Sequence, residues 1–126
     1  MIRKILVGLA ALIAWAVSAT VFNILLRALL PGYTAAEPTM DFTLAMMIGR
    51  LLVGAAASLL AGVTTARLSA TAQHLPLGVG IILVVAFVPV HYGLWATFPV
   101  WYHLVFLGSL IPMVLAGAKL ARPRTA

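Results

Sequence analysis

The sequence predicts an all-α, four-helix transmembrane bundle with both termini on the inner side (N-in/C-in) and spans three and four joined as a tight hairpin. Three observations predict it. The 126 residues are 64% hydrophobic and 8% charged, with a mean hydropathy of +1.17; a soluble domain of this length needs far more charge to cover its surface. Apolar runs near or above about 20 residues recur, each long enough to cross a hydrocarbon core of about 30 Å. The basic residues stand mostly at the ends of those runs, where they set orientation.

The spans fall at roughly 5–30, 42–66, 77–98 and 100–120, within a single integral membrane domain, 1–126. Pro31 and Gly32 end the first span, because proline cannot continue a helix and glycine suits a turn. "YTAAEPTMD" then reads as the first loop and "RLSATAQHLP" as the second. Only "TFPVW" separates spans three and four, which makes them the hairpin, with Pro99 as its corner. "MIRK" followed by an apolar run to "VSA" has the outline of a cleaved signal, but the run continues through "VFNILLRALL", so an uncleaved span is expected. "SLLAGVTTARL" and "SLIPMVLAGAKL" look alike; helices that end on a basic side collect such residues without duplication.

Four spans put Arg3, Lys4, Arg67, Lys119, Arg122 and Arg124 on one side, and Glu37 and Asp41 on the other. This Lys/Arg bias predicts the N-in/C-in topology; in a bacterium the acidic loop and the aromatic corner would then face the periplasm. The formal charge of +6 therefore serves topology and anionic lipid headgroups, and nucleic acid is not an expected partner. The chain has no cysteine, which removes disulfides, iron–sulfur clusters and thiol nucleophiles.

Helices in lipid associate through small residues that let backbones approach. Gly54, Ser58, Gly62 and Ala66 fall four apart on one stripe of span two, a contact surface for another span, a second copy or another protein. One turn further along that stripe stands Arg50. An arginine there costs about 2.5–3.5 kcal/mol on insertion scales, so it faces protein or water, or snorkels to the headgroups. Span one carries a second stripe, Ala16, Thr20, Asn23 and Arg27, in which Asn23 serves as glue between helices and Arg27 snorkels.

"HYGLWATFPVWYHLVF", from His91 to Phe106, concentrates aromatic residues where a membrane boundary would place them. His91 lies about two turns inside span three and His103 in the first turn of span four. His91 can repair the kink at Pro89 by bonding a freed carbonyl. The alternative is a polar cluster of Arg50, His91 and His103, with Asn23, Arg27, Glu37 and Asp41 above it, because ionisable residues at membrane depth are functional candidates. No metal site is expected, since the only side-chain carboxylates are in the loop. No cofactor is expected either. The chain is expected not to be an enzyme: no serine stands beside a histidine in a motif and no carboxylate lies within a span.

Three functions fit these residues. A non-enzymatic accessory subunit of a membrane complex leads, on the strength of the small-residue stripe; its partners would be the bilayer and a membrane protein or a second copy. A small dimeric transporter, or a lipid- or quinone-binding protein, would use Arg50, His91, His103, Asn23 and Arg27. A b-type cytochrome would use the two histidines as axial ligands. The segments "AEPTMDFTLAMMIGRLLVGAAASLLAG" and "FPVWYHLVFLGSLIP" resemble small uncharacterised inner-membrane proteins of proteobacteria with four predicted spans. That resemblance covers most of the chain and implies a multi-pass protein of a bacterial inner (cytoplasmic) membrane, with no assigned activity or site residue to carry over.

Overall fold

In a computed structural model that describes residues 1–123, the chain folds as α1 (Ile2–Leu29), α2 (Tyr33–Ala36), α3 (Leu44–Leu68), α4 (Leu75–Gly93) and α5 (Val100–Ala121), with no strand among the described residues. Four of these helices, all but α2, are long and apolar enough to cross a membrane. Arg124 lies outside the described residues.

Helix boundaries follow local chemistry. α1 closes with the Leu30 N–H on the Leu26 carbonyl. Pro31 has no N–H to continue the ladder. Gly32 then adopts φ +80°, a left-handed conformation cheap only for glycine. This turn folds the chain back, and α2 forms one helical turn where the sequence suggested a plain loop. It buries Tyr33 completely. Thr43 caps α3, its hydroxyl accepting from the Met46 N–H at 3.3 Å.

The third span is shorter than expected. α4 stops at Gly93 rather than near residue 98. Leu94–Phe98 instead form turns, with the Thr97 N–H on the Leu94 carbonyl at 2.9 Å. Phe98 precedes Pro99, which pushes its backbone away from helix, and Pro99 is extended at the start of α5. Pro89 and Pro112 both lie inside helices.

α3 is central. Its small-residue stripe lies against α5, and Gly54, Ser58, Gly62 and Ala66 are all buried. A Cβ at Gly54 would come within 2.9 Å of the Phe106 ring. One at Gly62 would run into the Val114 carbonyl, and one at Gly117 into the Leu59 carbonyl, so the two backbones touch. Ser58 ties in α1: its hydroxyl accepts from the Trp15 indole N–H at 3.0 Å and donates to the Gly54 carbonyl at 2.7 Å. The stripe is thus an internal contact. Ala11, Ala61, Val79, Leu83, Phe106, Leu110 and Val114 complete the core, while most of the remaining leucine, isoleucine and valine side chains are exposed on the outside, where a bilayer would cover them.

Charge separates along the bundle. At one end the Arg3 guanidinium donates to the Leu68 carbonyl and that of Arg122 to the Gln73 carbonyl, both at 3.3 Å. At the other end stand Arg27, Glu37 and Arg50.

Candidate functional site

The acidic end of the bundle holds a chain of polar contacts built from α1, α2, α3 and α5. Arg27, in the last turn of α1, pairs with Glu37 through two bonds, Nε to Oε1 at 2.6 Å and Nη2 to Oε2 at 3.0 Å. Arg27 was expected to snorkel; a carboxylate from the following loop meets it instead. The hydrogen bond from Arg27 holds the Glu37 carboxyl below its ordinary range, with burial opposing and the charges of Arg27 and Arg50 and a bond from Asn23 adding to the shift.

Tyr33 links the helices. Its hydroxyl donates to Asn23 Oδ1 at 2.8 Å and accepts from Arg50 Nη1 at 2.9 Å. Asn23 therefore bonds to α2 rather than to another span. Arg50 also donates from Nε to the Tyr102 hydroxyl at 3.3 Å, and its guanidinium carbon sits 4.8 Å from the centre of the Phe42 ring. This side chain is held inward by two phenols and an aromatic face. No carboxylate reaches it: the one ion pair among the described residues is Arg27–Glu37, and Asp41, the other side-chain carboxylate, is exposed and unpaired. The guanidinium carries more N–H donors than these two bonds use.

Aromatic rings close the end of the bundle. Tyr33 stacks on Phe42, Phe42 on Phe98, and Phe98 on Tyr102, with centroids 5.3, 6.0 and 4.5 Å apart. Tyr102 also stacks on His91 at 6.0 Å.

The two histidines meet. Their Nδ1 atoms are 2.7 Å apart, and His103 Nε2 is 3.3 Å from the Trp95 carbonyl. A carbonyl only accepts, so Nε2 of neutral His103 carries its proton and its Nδ1 accepts; His91 is then the Nδ1–H tautomer. His91 spends its Nδ1 on His103 and not on the carbonyl freed by Pro89. An ion bound by imidazole at about 2.0–2.1 Å would hold two ligand nitrogens more than about 3 Å apart. As placed, the pair shares a proton and leaves no space for a metal or a haem iron between the rings. Among the described residues no group of three or more His, Asp or Glu side chains gathers as a metal site.

Between the helices lies a slot of ≈ 170 Å³ lined by Trp15, Asn23, Arg50, Gly54, Phe87 and Tyr102. Gly54 and Phe106 stand together in its lining, and a Cβ at Gly54 would crowd the Phe106 ring at 2.9 Å. A shallower recess of ≈ 460 Å³ along α1 shares Trp15 and Asn23 with the slot and reaches Arg27. The arrangement offers a cation and phenol hydroxyls between aromatic walls, with no nucleophile or carboxylate base. It can hold an acceptor group, anionic above all.

Of the sequence candidates, the fold brings Asn23 and Arg50 to the slot, Arg27 to its open recess, and His91 and His103 to a buried pair behind Tyr102. Asp41 is not drawn in. Tyr33, Phe42 and Tyr102 were not singled out as site residues, although Tyr102 was recognised as part of an aromatic boundary. No protein-family model matches the sequence, and no curated protein or solved structure matches the chain.

Proposed function

We propose that the protein is a non-enzymatic, multi-pass protein of a bacterial inner membrane that binds an anionic group through Arg50, acting as a small carrier or lipid- or quinone-binding protein in dimeric form. One observation carries this reading. Arg50 lies inside a membrane-length helix, hydrogen-bonded to two neutral phenols, with no carboxylate partner. Neutral phenols do not neutralise the guanidinium, and Glu37, the carboxylate that feels its charge, is bonded to Arg27; apart from Asn23 the remaining walls of the slot are apolar and aromatic. An anionic ligand supplies what the chain does not.

The orientation is N-in/C-in, with α4 and α5 as a hairpin. The gathering of Arg3 and Arg122 at one end and of Glu37 at the other supports it. Four spans are few to enclose a pathway, which favours two copies. The accessory-subunit reading, which the sequence alone put first, drew on the small-residue stripe; with that stripe packed against α5, the stripe no longer argues for an outside partner.

Purification at native expression in mild detergent, followed by native mass spectrometry, tests the reading. The wild-type chain should retain an anionic small molecule or lipid that Arg50→Gln loses while still inserting. Undiminished ligand stoichiometry in the glutamine variant, or a wild-type chain that binds neither an anion nor a quinone in the slot, overturns it. A neutral quinone in place of the anion would keep the slot and change the ligand class.

A further inference from the structure

A second feature lies at the opposite end of the bundle, apart from the Arg50 slot. α1 and α4 touch at mid-bundle, where the Trp15 and Phe87 ring centroids are 4.9 Å apart. Towards the basic end they leave a groove of ≈ 300 Å³ between Leu9 and Leu12 on one side and Val79 and Ile82 on the other. Two glycines line it. A Cβ at Gly78 would meet nothing within 4 Å, and one at Gly8 only the Leu75 side chain at 4.0 Å. The groove exists because side chains are missing from both helices where they would otherwise close it.

Lys4 stands where this apolar groove meets a recess of ≈ 390 Å³ that Thr71, Gln73 and His74 also line. Among the described residues the charge there is one-sided. Arg3 and Arg122 hold the neighbouring carbonyls of Leu68 and Gln73, while Glu37 is committed to Arg27 at the far end. From Lys4 to Leu12 the groove follows α1 for about 12 Å, at 1.5 Å per residue. A cationic, hydrogen-bonding recess at headgroup level thus opens into an apolar channel along two spans. Lipid phosphate and acyl chain match these two parts in order and in polarity.

We propose that this groove is a binding site for an anionic phospholipid, with its phosphate at Lys4 and one acyl chain between α1 and α4. Bulk lipid would wet any apolar groove; the recess at Lys4 is what adds a preference for negative headgroups.

The full chain, reconstituted in bilayers of mixed phosphatidylglycerol and phosphatidylcholine and then stripped with mild detergent, tests this by native mass spectrometry. Wild type should keep one phosphatidylglycerol in preference to phosphatidylcholine. Gly78→Leu fills the groove from a position with open space, and should weaken retention about tenfold, as the loss of roughly two buried methylenes would. Lys4→Gln, at an exposed position that tests the headgroup without touching the packing, should abolish the preference between the two lipids. Arg50→Gln should leave the preference intact, which separates this site from the slot. Equal retention of both lipids by wild type, or unchanged retention in Gly78→Leu, overturns the proposal. So does displacement of the lipid by inorganic phosphate alone, because the acyl groove would then contribute nothing.

Discussion

His91 and His103 share one hydrogen bond, Nδ1 to Nδ1 at 2.7 Å, with both rings buried. Each is the other's partner, so their contributions to stability are not additive. Phenylalanine at position 103 would leave the His91 N–H without an acceptor, at a cost of about 1–3 kcal/mol. Phenylalanine at both positions removes donor and acceptor together and should be less destabilising than the sum of the single changes. Unfolding of the four proteins in mixed micelles measures this directly. Strict additivity would mean that the rings pack without bonding.

Tyr33 joins Asn23 on α1 to Arg50 on α3 through one hydroxyl. Tyr33→Phe keeps the ring on Phe42 and deletes both bonds. The expected loss is about 1 kcal/mol, given that hydrogen bonds within membrane proteins average about 0.6 kcal/mol. Asn23→Ala should cost less in the Tyr33→Phe background than in wild type. A double-mutant cycle with no coupling would show that Tyr33 is held by its stacked rings alone.

Much of this arrangement was legible beforehand, and what was not has a physical reason. Arg50, Asn23 and the Gly54–Ala66 stripe could be found because helical spacing alone decides which residues share a face. The owner of the opposite face could not, since apolar side chains turned to lipid and to a neighbouring helix look alike in sequence. Tyr33 was hidden because its burial depends on one backbone angle at Gly32 and on partners far along the chain. The histidines were visible and could be grouped with Arg50, but their direct hydrogen bond was not. With α4 continued to residue 98, His91 would lie well below His103. Ending the helix at Gly93 puts each ring within about a turn of its own helix end, and so at one level.

The α3–α5 contact gives a sharp contrast between glycines. A methyl at Gly62 collides with the Val114 carbonyl, whereas one at Gly108 meets nothing within 4 Å. Backbone cannot yield as a flexible side chain does. Gly62→Ala should therefore destabilise by about 1–3 kcal/mol, while Gly108→Ala should be neutral or slightly stabilising, because alanine favours helix. Thermal unfolding in detergent ranks the two. Equal stabilities would refute the backbone contact.

Glu37 supplies the pH dependence. The hydrogen bond from Arg27 lowers its pKa from the ordinary 4.5. A carboxyl whose folded pKa is depressed contributes its stabilisation fully above the unfolded value and loses it as pH falls through the folded one. The Arg27–Glu37 pair should thus remain closed at pH 4.5 and open only in more acidic solution. A carboxyl ¹³C titration in micelles should place the midpoint below 4.5, and Arg27→Gln should return it to the ordinary range. Both side chains are partly exposed, 47% for Arg27 and 23% for Glu37, so salt screens the attraction and high ionic strength should move the wild-type midpoint upwards. A midpoint that ignores both salt and the loss of Arg27 would mean that the pair does not form in the membrane-mimetic state. Arg27 would then be free at the mouth of the recess at every pH.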